Sequence, residues 1–443
     1  SRRAAREGER WAMGACEGGG GEHPGGGVGE HKGGGRGGRS SAAADGTLRE
    51  GDVHVMGGMQ HVRCPTSFSS FQIRRPRMAG IVPSRRVRGT PFSKGVQAAG
   101  AKAYTVYNHM LLPSYFETYE ADYRHLKEHV QVWDVAVERQ VSIKGPDALR
   151  LMKMMSPRDM DRMSDDQCYY VPICDHNGGM LNDPVAIKLA QDHYWLSLAD
   201  GDLLQYALGL AIASNMDVDI IEPDVSPLAV QGPKADELMS RIFGDAVRDI
   251  RFFRYKRLAF MDTEFVVARS GWSKQGGFEI YVDGTQYGMP LWDALMVAGQ
   301  DLNVRAGCPN LIERIEGGLL SFGSDMTREN TPIEAGLTKF CNSPDDYIGK
   351  SVIEGQKQNG PPRQIRPLEI SGAGDLPHNA TGWSVYANGH CVGLIASATW
   401  SPDFNTNVAI GMIDAGFWDA GTTLVVDTGA GERSAIVKEK FWI

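Results

Sequence analysis

The chain has 443 residues, with 46 Lys and Arg against 54 Asp and Glu and a formal charge of -8. That length makes room for roughly two to four domains, and the acidic balance gives no general electrostatic reason to bind nucleic acid. No apolar run is long enough to cross a bilayer, the start carries no convincing signal peptide, and the seven cysteines lack the spacing of a disulfide framework or a zinc site, which together suggest reduced thiols in a cytoplasmic protein.

Residues 1–78 read as a disordered Gly/Arg-rich extension or leader, because tracts such as Gly18-Gly19-Gly20-Gly21 and Gly33-Gly34-Gly35 bury too little to offset their ordering entropy. His23, His31, His54 and His61 sit on that tail without preformed geometry, so metal contact there is adventitious. Ser1 in place of a methionine, with Met78 just ahead of folded-looking sequence, leaves an upstream start or a removed leader open. Arg74, Arg75, Arg77, Arg85, Arg86 and Arg88 form a basic approach, read as a solvated leader.

From 79 to 355 the pattern predicts two interleaved α+β domains, opening near Thr90-Pro91-Phe92. Ala103 to Pro113 begins as a strand, with Tyr107 and His109 on one alternating face. Tyr115, Tyr119, Tyr123 and Leu126 recur at helical spacing, a stripe that suits packing. Two strands, 130–135 and 139–144, lead to the Gly145-Pro146-Asp147 turn, where Asp147 is placed to cap a helix. Gln167 to Leu189 is strand-rich around a polar turn holding Asp175, His176, Asn182 and Asp183; Asp183 either orients a substrate amine or merely ends a strand before Pro184. Cys174 beside His176 reads as a buried or turn cysteine, since sequence neighbours do not establish an aligned catalytic pair. His193 to Leu198 continues the β character and Gly201 to Ala213 is helical. The run from Ala229 through Gly232-Pro233 to Met239 echoes the run from Val141 through Gly145-Pro146 to Leu151, suggesting two related lobes.

Val266 to Val282 holds the most chemistry. Two strands flank a turn with Gly271, Gly276 and Gly277, and alternation puts Glu279 and Tyr281 on one face against Phe278, Ile280 and Val282 on the other. The window admits a pocket in which Glu279 accepts hydrogen bonds from an amidine-like ring edge while Trp272 and Tyr281 pack on a flat ring or a cation. Taken alone, the window favours a plain glycine-rich hairpin with a solvent-facing Glu279 and Trp272 packed in a core. Tyr107, Trp272 and Tyr281 together are candidates to hold a compact methylated cation.

Helices follow at Pro290 to Met296 and Asn310 to Leu320, the latter offering Arg314 and Glu316 as anion and polar-ring partners. Glu222, Asp224, Glu313 and Glu316 otherwise read as ordinary carboxylates in water, and Gly349-Lys350 lacks the spacing of a P-loop. Gly360-Pro361-Pro362 interrupts the helical pattern, and 356–443 reads as a C-terminal β-rich barrel or roll with strands near 368–370, 382–386, 391–395, 408–410 and 423–426.

Several ordered blocks carry a family resemblance: Trp133-Asp-Val-Ala136 with Ile143 to Ala148, Asn177 to Asp183, Gly271 to Ile280, Arg314 to Gly318, Thr331 to Leu337 with Tyr347 to Lys350, and Gly393 to Ser397 with Ser401-Pro402. From Thr90 onward the chain resembles the glycine-cleavage T-protein and aminomethyltransferase superfamily, and within it the subgroup that demethylates dimethylsulfoniopropionate. The resemblance implies an α+β, three-domain cloverleaf with antiparallel sheets around a folate pocket, and transfer of a sulfonium methyl to N5 of tetrahydrofolate, the methyl acceptor and co-substrate. It further implies that Glu279 recognises the pterin with Tyr281 beside it, that Asp183 and Arg314 contribute to the cofactor site, and that Tyr107 and Trp272 line the substrate pocket; no protein nucleophile and no metal are implied. Asn182 stands where the family has a first aspartate, and Pro309-Asn310-Leu311 displaces an Ala-Arg-Asp element. A glycine-cleavage aminomethyltransferase, an O-demethylase and a non-enzymatic folate-binding module are the alternatives.

Overall fold

Two β-sheets packed face to face, each backed by helices, and a separate closed barrel make up the architecture. The computed structural model describes residues 85–374 and 376–443; the 1–78 extension, its histidines, Cys16, Cys64, Arg74, Arg75 and Arg77 lie outside the described residues. The first sheet runs Tyr255–Phe260, Thr263–Ala268, Gly277–Asp283, Val225–Gln231, Val130–Asp134, Val304–Gly307. The second runs Asp219–Ile221, Gln140–Lys144, His193–Ser197, Val185–Ala190, Cys168–Tyr170. Pairing in both sheets is antiparallel, as expected, with one parallel neighbour at the edge, Val304–Gly307 beside Val130–Asp134.

Strand alternation assigns the layers. In the first sheet Phe265, Val267, Phe278, Ile280, Val282, Leu228 and Val230 turn toward the helices Ala235–Phe243 and Gly288–Ala298. Each such side chain contributes about 1.5–3 kcal/mol on full burial. The alternate residues Val266, Ala268 and Tyr281 face the second sheet and meet Ile187 and Trp195. The second sheet's other face, with Val141, Ile143, Tyr194 and Leu196, is covered by the helices Ala148–Met155 and Leu203–Ala213. The order is thus helix, sheet, sheet, helix. Among the described residues no helix is long and apolar enough to cross a membrane.

The echoed Gly-Pro turns occupy equivalent places, one in each sheet, between a strand and its covering helix. Gly145 has φ +141° and Gly232 φ +124°; a Cβ would lie 2.5 Å from the Asp217 carbonyl at the first and 2.3 Å from the His129 carbonyl at the second. Only glycine admits both the conformation and the approach.

Several local expectations change. Asn108 and His109 both have positive φ, 48° and 63°, and form the tight turn between Ala103–Tyr107 and Met110–Tyr115, so His109 does not share a strand face with Tyr107. Tyr115 belongs to a strand, and the helix is Tyr119–Glu128, capped by Thr118; contact between the Tyr115 and Tyr119 rings at 5.0 Å mimics a helical stripe. Asp147 occupies the N-cap position, but its Oδ2 accepts from the Asp217 backbone N–H at 2.9 Å and not from its own helix. Arg88 pairs with Glu222 at 3.3 Å, so the end of the basic run joins the folded body.

The C-terminal strands close as Arg363–Ile370, Thr406–Asp414, His390–Ser401, Trp383–Ala387, Thr423–Asp427 and Glu432–Val437. The last strand escapes sequence reading because it buries only Ala435 and Val437. The preceding helix Lys350–Asn359 runs past position 356, so the chain changes character at Gly360 to Pro362. Ile315 on the short helix Leu311–Glu316 packs on barrel residues Ile365, Val408 and Ile410, holding the barrel against the first sheet's end.

Candidate active site between the two sheets

The turn between Thr263–Ala268 and Gly277–Asp283 folds back over Gln231, a fully buried residue on the neighbouring strand. Gln231 Nε2 donates to the carbonyls of Ser270 (3.1 Å) and Phe278 (3.3 Å), and its Oε1 accepts from Ser273 Oγ at 2.8 Å. A Cβ on Gly271 would fall 2.0 Å from that amide, and one on Gly277 would fall 2.2 Å from the Val230 carbonyl. Gly276 meets nothing within 4 Å and is required only for its φ of +79°.

This clamp sets Glu279 in the layer between the sheets, where it is 6% exposed. The solvent-facing alternative for Glu279 is therefore overturned. Its Oε2 accepts from Ser270 Oγ and, at 3.4 Å, from Tyr281 Oη. Burial raises its pKa, and those two hydroxyls oppose the rise. Tyr281 has no exposed surface and packs near Trp195. Its ring has no free face for the stacking the sequence suggested, and its hydroxyl reaches Glu279 instead.

A second carboxylate, missed in the sequence, belongs beside it. Glu138 lies in the connection that leaves the first sheet at Asp134 and enters the second at Gln140. Its Oε2 accepts from Ser197 Oγ at 3.1 Å, and Ser197 in turn accepts from Gln140 Nε2 at 2.8 Å. Its pKa is pushed well up, first by burial, then by the charges of Glu279 and, after Ser197's opposing hydrogen bond, of Asp183. No local pattern announces Glu138; its significance comes from a crossing between sheets that only the fold reveals.

Asp183 is the third. Tyr170 Oη donates to its Oδ2 at 2.7 Å, and burial lifts its pKa to about 7 despite that hydrogen bond. Tyr107 is half-buried, and its hydroxyl is held protonated by burial and then by the charges of Asp183 and Glu138. The structure thus brings Tyr107, Asp183 and Glu279 together around Glu138. Among the described residues no Lys or Arg forms an ion pair with Glu138, Asp183 or Glu279.

Two asparagines hold these parts in register. Asn108 Nδ2 donates to the carbonyls of Val137 (3.0 Å) and Ala199 (3.2 Å), while its Oδ1 accepts from Gly201 N at 2.9 Å. Asn182, fully buried, donates to Ala199 O and accepts from Ala199 N, both at 3.0 Å, and accepts from Asp183 N at 3.1 Å. The segment around Ala199 is therefore the common anchor for Tyr107, Glu138 and Asp183. The position calls for a donor as well as an acceptor, and an ionised aspartate has no donor.

Trp272 and Arg314 occupy another part of the wall. The Arg314 guanidinium lies 5.8 Å from the Trp272 ring centroid, with no ring contact joining Trp272 to Tyr107 among the described residues. Arg314 is buried and committed to Asp325 (2.8 Å) and Ser397 (2.6 Å), fastening the Leu311–Glu316 helix to the barrel. Glu313 and Glu316, expected in water, are buried as well. Glu313 accepts from the Lys274 backbone N–H and from Gln275 Nε2, whereas Glu316 accepts from Tyr123 and Ser401. Asn310, in the displaced element, caps that helix through Oδ1. Cys174 is buried and its burial pushes the thiol pKa well up, so it is poorly disposed to act as a nucleophile.

With this geometry in view, the relatives are informative. Residues 92–344 match the GCVT N-terminal domain family and residues 363–442 the glycine cleavage T-protein C-terminal barrel domain family. The chain is 70% identical over 365 residues to a Ruegeria pomeroyi protein named dimethylsulfoniopropionate demethylase, covering 82% of this chain and 100% of that one. It is 26% identical over 337 residues to an aminomethyltransferase of Caldanaerobacter subterraneus subsp. tengcongensis, covering 74% and 89% respectively. The crystal structure of glycine cleavage system aminomethyltransferase T from Bartonella henselae superposes with a TM-score of 0.72 at 22% identity, covering 81% of this chain and 98% of that chain, which is agreement in fold.

Replacing Asn182 by Asp puts an oxygen against the Ala199 carbonyl where an N–H now donates. We expect Asn182→Asp to lose about 1–3 kcal/mol of stability, read as a lower thermal denaturation midpoint. An unchanged midpoint at neutral pH would remove Asn182 from the positioning role.

Proposed function

Because the chain belongs to the glycine cleavage T-protein family, we propose that it demethylates dimethylsulfoniopropionate, passing one sulfonium methyl to N5 of tetrahydrofolate and yielding 5-methyltetrahydrofolate and 3-methylmercaptopropionate. The observation that carries this reading is the similarity to the Ruegeria pomeroyi demethylase over that protein's whole length. The free state of Cys168, Cys174, Cys308, Cys341 and Cys391 fits a reducing compartment such as the cytoplasm.

The residues present suit both substrates. Glu279, dry and oriented by Ser270 and Tyr281, is built to accept hydrogen bonds from the donor-bearing edge of a pterin. A pocket with three carboxylates and no cationic partner among the described residues suits a sulfonium, and the half-buried Tyr107 and Trp272 offer aromatic faces to it. Arg314 supports this wall through Trp272.

Tetrahydrofolate supplies the nucleophile when bound. A bond forms between N5 and the methyl carbon as the carbon–sulfur bond breaks, and the bonding pair stays on sulfur, which leaves as a neutral thioether. The N5 proton must then depart, and Asp183 is the group we assign to receive it. An acceptor with a pKa of about 7 is matched to that task near neutrality. No protein atom is methylated, so the contribution of the chain is orientation, exclusion of water and proton uptake.

The decisive experiment supplies reduced folate and dimethylsulfoniopropionate anaerobically and quantifies both products. Equal amounts of 5-methyltetrahydrofolate and 3-methylmercaptopropionate are expected; a folded protein that yields neither refutes the reading.

The raised pKa of Asp183 has a worked sign. Below about 7 the side chain is protonated and cannot accept, and above it the carboxylate is competent. kcat/KM should rise with pH and level off above the midpoint, and in Asp183→Asn that step should vanish along with most of the activity, by about 10²–10⁴-fold. A pH profile in Asp183→Asn that keeps the wild-type step assigns it elsewhere.

Glu279→Gln keeps the shape but replaces a carboxyl group by an amide that accepts at only one of its two terminal atoms. We expect tetrahydrofolate affinity to fall about tenfold or more in a titration without the methyl donor. Unchanged affinity excludes Glu279 from pterin recognition.

A further inference from the structure

The turn that carries Trp272 is pinned from two sides. On the sheet side Gln231 holds Ser270, Ser273 and Phe278. On the other side Glu313 holds the two residues that follow Ser273. Its Oε1 accepts from the Lys274 backbone N–H at 3.0 Å and from Gln275 Nε2 at 2.9 Å. Glu313 is 1% exposed, whereas Trp272 is half-buried.

The second anchor belongs to neither sheet. Glu313 sits on the Leu311–Glu316 helix, and its neighbours tie that helix to the barrel: Arg314 to Ser397, Ile315 to Ile365 and Val408, Glu316 to Ser401. Arg314 also lies 5.8 Å from the Trp272 ring. The Lys274 stem crosses the end of the same helix, where a Cβ on Gly317 would fall 2.5 Å from Lys274 Cε. An apolar side chain would fill the Glu313 position at less cost, because burial pushes the carboxyl pKa up to about 7 while both hydrogen bonds work against that rise. What the carboxyl adds is its grip on the turn.

We propose that Glu313 is a positioning residue for the methyl donor: without contact with either substrate, it fixes the turn so that the Trp272 ring faces the sulfonium, and it lets the barrel, through the Leu311–Glu316 helix, set where that ring stands. The proposal rests on the reading of Trp272 as an aromatic face for the donor. The pterin side is supported separately. Glu279 lies on the strand beyond the turn and is oriented by Ser270 and Tyr281, and Ser270 is held by Gln231. Loss of the Glu313 anchor therefore bears on one substrate and spares the other.

The test reads the two substrates apart, in the whole protein. Glu313→Met removes the acceptor and should raise KM for dimethylsulfoniopropionate about tenfold, while tetrahydrofolate affinity measured without the donor stays within about twofold. Gln275→Ala, a milder loss at a half-buried position, should raise the same KM by a smaller factor. Glu313→Gln presents a carbonyl oxygen where Oε1 stands and should behave as the wild type. In a Trp272→Leu background the effect of Glu313→Met should disappear, since a residue that acts only through Trp272 then has nothing to position. An unchanged KM in both Glu313→Met and Gln275→Ala overturns the assignment, as does an equal fall in folate affinity or full additivity with Trp272→Leu. Fluorine NMR of fluorotryptophan-labelled protein adds a readout that needs no turnover. The Trp272 signal, assigned by its loss in Trp272→Leu, should move in Glu313→Met and in Gln275→Ala and return in Glu313→Gln. A signal that stays in place overturns the positioning role whether or not methylfolate forms, and absence of methylfolate in the wild type is the separate failure of the functional reading.

Discussion

Three carboxylates between two sheets, Glu279 buried and Glu138 and Asp183 half-buried, with no ion-pair partner among the described residues, set the terms for everything around them. Glu279, Glu138 and Asp183 reach one another's fields between two sheets, and each is met by hydroxyl donors: Ser270 and Tyr281, Ser197, and Tyr170. Neutral donors soften the desolvation of a carboxylate but do not cancel its charge. All three pKa values rise accordingly, with burial as the first cause in each. Such a group of acids is tolerated in a fold only if the scaffold prevents it from relaxing into water.

The scaffold does so with neutral amides. Gln231 ties the hairpin turn to its neighbouring strand, and Asn108 and Asn182 both grip Ala199 from opposite strands of approach. An amide donates and accepts at once, so one side chain can satisfy a backbone N–H and a carbonyl without adding charge to the pocket. Basic residues in the same places would satisfy the carbonyls but would also neutralise the acids. Here the nearby cations are engaged elsewhere: Arg139 pairs with Glu222, and Arg314 with Asp325.

Much of this was legible in the sequence, and the boundary of legibility has a physical form. The hairpin at 266–282 announced Glu279 because strand alternation and three glycines are local signals. The Gly-Pro echo was real because both turns face the same backbone crowding. Glu138 was invisible because it gains its meaning where the chain changes sheets, and Gln231 because a buried glutamine in a strand carries no periodicity. Tyr281 was misread as a ligand contact: alternation assigns a face, and it cannot say that the face is sealed by a second sheet. Arg314 and Glu316 looked like binding groups for the same reason, since charge in a sequence does not tell an ion pair that joins a helix to a barrel from one that awaits a ligand. Asn182 was noticed as a departure from the family pattern, and the structure supplies its reason as a two-way clamp on Ala199.

The raised pKa values also bear on how a cationic methyl donor can be held without being trapped. The sulfonium loses its charge as the carbon–sulfur bond breaks, so any attraction felt only by the reactant deepens the ground state and opposes turnover. Three fully ionised acids would do that. A cluster that shares protons presents less charge to the donor while keeping hydrogen-bonding capacity. Methyl transfer then moves the positive charge from sulfur toward N5, and Asp183 can attract the new ammonium centre and take its proton. An acidic pocket is therefore suited to this reaction when its charge is partial before transfer and is placed on the acceptor's side as transfer proceeds.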